Sequence, residues 1–350
     1  MSDSIPDAAT PEHLTDVLRR AGVLSAGKIT SVSVDSSRQM ILSTVMRLRL
    51  EVEGTPGATP LSLFFKTRRP DSPIDAEAIG RAEVDFYSRV APLTPGGLLP
   101  LCFEAAMEGG WHLLLEDLND SHDIVSQWPL PPTVEQVDRI LGAHARFHAF
   151  WWDHPALGSV GAFLDTGGFD RFLAEFPAQL AVFVDRLGDR MSSERRRIYE
   201  RMITHAPRLF AERYRPHRNL TLLHGDAHVW NALYPRDPAS DDVRLIDWDA
   251  WRIDVATDDL AYMIAVHWSP ERRRRLEREC LRRYHAALSA AGVKGYDFEA
   301  LWRDYRLSVL SQITTPVWQA AHGIGPWIWW YNYERIMAAV DDLDCLELLG

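Results

Sequence analysis

His224-Gly225-Asp226-Ala227-His228-Val229-Trp230-Asn231, followed by Leu245-Ile246-Asp247-Trp248-Asp249, is the stretch on which the rest of the chain is read. Asp226 and Asn231 stand five residues apart. That spacing lets one loop offer a carboxylate to a nucleophile and an amide oxygen to a metal. The run Val243-Arg244-Leu245-Ile246 reads as a short buried strand closed by Asp247. A strand end holds a carboxylate rigidly enough to fix Mg²⁺ beside triphosphate oxygens. The two halves, in this order, point to phosphoryl transfer from a nucleotide. Asp226 is the candidate general base, and Asn231 and Asp247 are the candidate Mg²⁺ ligands.

Working outward, the region before this stretch changes period. Segments 29–34, 44–52 and 61–66 alternate or run apolar and read as strands. Residues 76–90 read as a helix, and 101–107 with 111–115 as a hairpin around Gly109-Gly110. Lys66 ends an apolar strand, where its stem packs on the sheet and its ammonium reaches phosphates. Glu83 in the following helix is its candidate partner; Arg68, Arg69 and Asp85 are close rivals. The segment Asp35 to Thr44 is the candidate phosphate-covering turn. It lacks glycine, so Ser36, Ser37, Ser43 and Thr44 are left to offer hydroxyls and amides.

After Glu116-Asp117-Leu118 the pattern becomes helical. Thr133-Val134-Glu135-Gln136 is a capping box opening a helix with His144 and His148 on one face. Those two histidines read as packed side chains rather than a metal pair, since the zinc-protease helix motif is absent. Further helices are expected near 170–190, 193–212, 256–267, 270–291, 298–312 and 329–348. Arg272 to Arg275 reads as a solvated helix face. The expected class is α+β, with a small antiparallel sheet lobe over residues 1–117 and a larger, mostly helical lobe over 118–350.

The chain of 350 residues carries a formal charge of −11, which argues against general nucleic-acid or anionic-membrane binding. Three scattered cysteines fit a reducing, cytoplasmic setting. No stretch approaches the roughly 20 apolar residues of a membrane span. The acidic, polar start does not read as a signal peptide.

These motifs resemble those of the aminoglycoside phosphotransferase and choline kinase-like superfamily of the protein kinase-like fold, nearest its ecdysteroid-kinase-like branch. His224 to Asn231 and Ile246 to Asp249 meet the family pattern. The resemblance implies ATP and Mg²⁺ as cofactors, Lys66 and Glu83 as a nucleotide-side pair, and adenine contacts along Leu115-Glu116-Asp117-Leu118. It also implies structural support from His224 and from Asp259, in Asp259-Leu260-Ala261. Two departures stand out: the glycine-free phosphate turn, and Arg252-Ile253-Asp254-Val255 where many members carry glycine. The expected activity is ATP-dependent transfer of a γ-phosphoryl group to a small-molecule hydroxyl. No activation-loop or APE-like segment argues for a protein substrate.

The C-terminal third is dense in aromatics: Trp318, Trp327, Trp329, Trp330, Tyr331 and Tyr333. Of these, Trp327, Trp330 and Tyr331 are candidate walls of an acceptor pocket, suited to apolar or singly cationic molecules. An antibiotic kinase is the alternative within this class. A metal-dependent phosphoesterase would need a GNH motif and later histidines that are missing, and a silent nucleotide-binding module would have lost one of Asp226, Asn231 or Asp247.

Overall fold

The computed structural model describes residues 5–40, 43–54, 61–69, 76–108, 110–125, 127–164 and 166–350. They fall into two compact units: Met1–Ile124 with Leu233–Ala250, and Val125–Ala232 with Trp251–Gly350. The α+β class is borne out. A five-stranded antiparallel sheet dominates the first unit, and helices dominate the second.

The first unit opens with α1 (Pro11–Arg20), which Thr10 caps by accepting from the His13 N–H at 3.3 Å. Strands β1 (Lys28–Gln39), β2 (Ser43–Glu53) and β3 (Leu61–Arg68) follow, then α2 (Ala76–Asp85) with a π turn over Phe86–Val90. Next come β4 (Cys102–Ala106), β5 (His112–Glu116) and β6 (His122–Ile124). The sheet order is β1-β2-β3-β5-β4. In β2, Met46, Leu48 and Leu50 point inward while Arg47 and Arg49 face outward, the two-residue alternation of a half-buried strand. Those inward side chains meet Leu14, Val17 and Leu18 of α1 and Leu63, Phe65 and Leu114 of the sheet in one core.

The second unit runs through α3 (Val134–Trp151), α4 (Leu157–Val160), α5 (Thr166–Leu187), α6 (Ser193–Tyr214) and β7 (Thr221–Leu223). The chain then supplies β8 (Ala232–Pro235) and β9 (Arg244–Leu245), which form a small sheet with β6 in the order β6-β8-β9. It continues with β10 (Arg252–Asp254), which pairs with β7, then α7 (Thr257–Ala261) and a π turn over Tyr262–Val266. Helices α8 (Pro270–Ala290), α9 (Phe298–Ser311), α10 (Thr315–Ala321) and α11 (Pro326–Asp342) complete it. The capping box of α3 is formed: Thr133 Oγ1 accepts from the Gln136 N–H at 3.2 Å and Gln136 Oε1 from the Thr133 N–H at 2.8 Å. Among the described residues, no helix is long and apolar enough to cross a membrane.

Three expectations differ from what forms. Residues 35–39 extend strand β1, because the ladder with β2 continues to Gln39 opposite Thr44. The turn is therefore shorter than read, and its residues 41–42 lie outside the described ones, as do 55–60 and Gly109. The arginine run of α8 is not uniformly solvated. Arg273 is only 1% exposed, pairing with Glu277 at 3.0 Å and with Asp342. Residues 329–348 are not one helix: α11 ends at Asp342, and Asp344 takes the left-handed conformation at φ +50° before a 3₁₀ turn.

Candidate active site

In the first unit, Lys66, Glu83 and Asp247 meet. Lys66 lies opposite Val45 and Leu113 in the sheet, and its ammonium contacts Glu83 Oε2 at 2.7 Å and Asp247 Oδ1. Of the neighbouring cations, it is Lys66 that meets Glu83; Arg68 is exposed, and Arg69 donates to the Met40 carbonyl at 3.1 Å. Burial opposes the Lys66 charge, but Asp247, Glu83 and Asp249 outweigh it and hold the ammonium protonated. Burial likewise pushes the Glu83 carboxyl up, against the pull of Lys66. Asp247 follows β9 with φ +70°, a left-handed backbone that Asp tolerates better than most residues. Trp248 anchors this turn: it stacks on Phe86 at 4.0 Å and donates from Nε1 to the Leu245 carbonyl at 3.1 Å.

The other candidates of this unit sit around the sheet. Ser43 and Thr44 are buried at the start of β2. Glu116 ends β5 and accepts from the Leu101 N–H at 3.2 Å, and Leu118 is buried just beyond it.

The second unit holds the loop after β7. Gly225 takes φ +82°, which lets the chain turn sharply out of the strand. Asp259, at the start of α7, accepts the backbone N–H groups of His224 and Gly225, each at 2.8 Å. His148 Nε2 also lies 3.1 Å from Asp259, and His148 Nδ1 lies 2.7 Å from the Tyr284 hydroxyl. The His144 and His148 pair thus packs around a carboxylate that ties down the loop. Burial opposes the Asp259 charge, but the His148 contact and the neighbouring histidines hold its carboxyl well below the usual range. Burial pushes His144 down to about 3, so it stays neutral near pH 7.

Within the loop, Asn231 Nδ2 donates to the Asp226 carbonyl at 3.0 Å and to Asp226 Oδ2 at 2.9 Å. That leaves the Asn231 side-chain oxygen as a hard donor; in its own unit Asp247 offers a carboxylate whose Oδ1 already meets Lys66, and oxygen donors of this kind suit Mg²⁺. His228 Nε2 lies 3.4 Å from Asp226 Oδ2, and the Tyr262 hydroxyl donates to the same carboxylate. Burial opposes ionisation of Asp226, but His228, Tyr262, His224 and His267 together hold its carboxyl below the ordinary range.

Two residues beside Asp226 carried no signal in the sequence. Tyr262 and His267 bracket the π turn after α7, within what reads as an ordinary helix. A π turn rotates side chains off the helical stripe, and such turns recur at functional sites. Of the candidate acceptor aromatics, Trp327 and Tyr331 are exposed and Trp330 is half-buried on α11. Trp329 and Tyr333 are core, packed edge-on against Phe183. A cavity of about 630 Å³ between α6 and α9, lined by Arg213, Tyr296 and Asp304 among others, includes none of the candidate residues.

Comparison with known proteins adds to this geometry. None of the curated proteins compared matches the sequence. Similar solved structures include a mutant aminoglycoside 2′-phosphotransferase of type IIIa bound to GDP, 14% identical over 97% of this chain and 96% of that chain, with a TM-score of 0.47. A microcompartment-associated aminopropanol kinase is 12% identical over 95% of this chain and 98% of that chain, also at 0.47. An aminoglycoside 3′-phosphotransferase of type VIII is 20% identical over 85% of this chain and 99% of that chain, at 0.42. Residues 163–294, which hold the whole loop from His224 to Asn231 together with Asp247 and Asp259, match the model of the ecdysteroid kinase-like family, and the resemblance read from those motifs is thereby borne out.

Proposed function

We propose that this protein is an ATP-dependent small-molecule kinase of the cytoplasm, moving a γ-phosphoryl group to a hydroxyl of an acceptor with an apolar or aromatic part. The observation that carries this reading is Asp226 itself. It is a half-buried carboxylate kept ionised by its surroundings, with Asn231 fixed against it and its backbone tied through Gly225 to Asp259. A general base must be charged and oriented before the acceptor arrives, and this one is both.

In this reading Asp226 accepts the hydroxyl proton, or orients the hydroxyl for in-line attack. Asn231 and Asp247 hold Mg²⁺, which neutralises charge on the phosphates when bound. Lys66, oriented by Glu83, meets the α- and β-phosphates, with Ser43 and Thr44 lining the phosphate side and Glu116 to Leu118 the adenine side. An antibiotic acceptor with several amines is disfavoured. Of the C-terminal carboxylates, Asp342 is engaged with Arg273 and Arg274, and Glu347 with Arg306.

The test is nucleotide consumption over a panel of hydroxylated small molecules. Asp226→Asn should keep the fold and lose about 10²–10⁴-fold in rate. Asp247→Ala should abolish Mg²⁺-dependent nucleotide binding in calorimetry, and Asn231→Ala should weaken it less. Turnover by Asp226→Asn close to wild type would refute the assignment.

A further inference from the structure

Resting on the kinase reading above, we infer that Arg335 is a specificity-determining residue and that the acceptor carries a carboxylate, bound by the Arg335 guanidinium while its apolar body lies along Tyr331 and Trp327.

The argument starts on α11. Trp327, Tyr331 and Arg335 recur every four residues and so form one stripe along the helix. Trp327 and Tyr331 are 64% and 56% exposed, large apolar surfaces that the fold leaves uncovered. Arg335 is half-buried, with its guanidinium 5.8 Å from the Tyr331 ring centre. The chain has 49 acidic and 38 basic side chains, so carboxylate partners are plentiful. Yet among the described residues none pairs with Arg335. Its neighbour Glu334 is taken by Arg195, and Asp342 by Arg273 and Arg274. A half-buried guanidinium without a counter-ion is unfavourable, and burial accordingly lowers the basicity of Arg335. Arginine is the side chain whose planar fork matches a carboxylate.

The stripe also leads to the catalytic loop. Helix α11 packs against the π turn over Tyr262–Val266. Burial pushes His267 down to about 4; His228 and Arg335 add to that fall, and Asp226 opposes it. His267 therefore sits within electrostatic reach of both Arg335 and the candidate base. Its Nδ1 lies 2.8 Å from the Tyr262 carbonyl, which can only accept, so Nδ1 carries the proton. In the neutral ring, Nε2 then offers a lone pair to a hydroxyl. Beside it, His228 Nδ1 and Trp230 Nε1 are buried without a hydrogen-bond partner among the described residues. Such groups are rare in folded proteins unless a bound molecule or water meets them. The cluster thus combines one cation, hydrogen-bonding nitrogens and an aromatic track. A phosphate dianion would call for a second cation, and His267 is neutral, so a carboxylate is the better match.

The experiment compares phenyllactate and hydroxymethylbenzoate with their methyl esters, their parent alcohols and a trimethylammonium alcohol. Full-length wild type, Arg335→Met and Arg335→Lys are assayed for nucleotide consumption and, by calorimetry, for binding. Wild type should favour an acid over its ester by about 10- to 100-fold in kcat/KM, the usual strength of a charge-assisted hydrogen bond. Arg335→Met should erase that preference by lowering acid turnover at least about tenfold more than ester or alcohol turnover, and Arg335→Lys should restore it in part. Equal turnover of acid and ester by wild type, preference for the cationic alcohol, or an equal loss on every acceptor in Arg335→Met would overturn the inference alone. If MgATP fails to bind or no acceptor is consumed, the kinase reading fails instead. Binding of phenyllactate to wild type but not to Arg335→Met would then still support the carboxylate site, and identical binding to both would remove it.

Discussion

Asp259 shows how one buried carboxylate organises a loop it does not belong to. It takes two backbone N–H groups of the His224–Asn231 segment and one imidazole. Asparagine in its place would turn an amide N–H₂ toward at least one of those donors. A buried donor left without an acceptor costs about 1–3 kcal/mol. On the kinase reading, Asp259→Asn should therefore lower the melting temperature and slow turnover more than it weakens nucleotide affinity in calorimetry, since neither Lys66, Glu83 nor Asp247 is among its partners. Unchanged kinetics with a lowered melting temperature would reduce Asp259 to a structural role. The buried histidines add a pH dependence. His144 is pushed from 6.5 to about 3 and His267 from 6.5 to about 4, both chiefly by burial. Between those values and pH 6.5 the unfolded chain binds protons that the folded chain refuses, so stability falls as pH falls through that window. Denaturant melts from pH 7 to pH 4 should show this slope, and His144→Gln should flatten it. A slope that His144→Gln leaves unchanged would contradict the assignment.

Helix α8 separates what a sequence pattern can and cannot say. Four consecutive arginines look alike on paper, yet a helix turns 100° per residue and cannot expose all of them equally. Arg273 falls on the inner face, where Glu277 and Asp342 compensate it. Truncating Arg273 removes the buried cation between two carboxylates and leaves Glu277 only the Tyr305 hydroxyl and Asp342 only Arg274, at a cost of about 3 kcal/mol, the low end for breaking a buried pair. Arg273→Ala should lower the unfolding free energy by about that amount, and Arg275→Ala, exposed on the same helix, should stay within about 0.5 kcal/mol. Equal effects in chemical denaturation would refute the distinction. The same contrast explains how far the elements were legible. Strand β2 announces itself by alternation, β3 by its apolar run and α3 by its capping box, because local physics decides them. The two-residue strand β9, the pairing of β7 with β10 and the π turn at Tyr262 depend on partners distant in sequence, so no local pattern marks them. The loop from His224 to Asn231 was legible because its spacing is chemical rather than structural. Tyr262 and His267 were not, since their relation to Asp226 arises only when α7 ends in that turn.

At the scale of the whole molecule, the first unit is not a continuous piece of chain. Residues 233–250 return to it after more than a hundred residues spent in the second unit, and they bring β8, β9, Trp248 and Asp247. Without them, β6 loses its partner β8, whose register sets His122 opposite Pro235 and Ile124 opposite Leu233. Phe86 loses the stacked face of Trp248; both side chains are fully buried. An aromatic pair of this kind contributes about 0.5–1.5 kcal/mol beyond the area it buries, and burying the tryptophan adds more. Lys66 also loses Asp247 and Asp249, two of the three carboxylates that hold its charge in a buried position. A fragment of residues 1–124 should accordingly be poorly folded. The same fragment joined by a flexible linker to 233–250 should melt cooperatively and regain near-ultraviolet circular dichroism from Trp248. The linked fragment carrying Trp248→Ala should fall back toward the short one. If residues 1–124 alone melt as cooperatively, and at the same temperature, as the linked form, then the returning segment is an attachment rather than part of the unit's core.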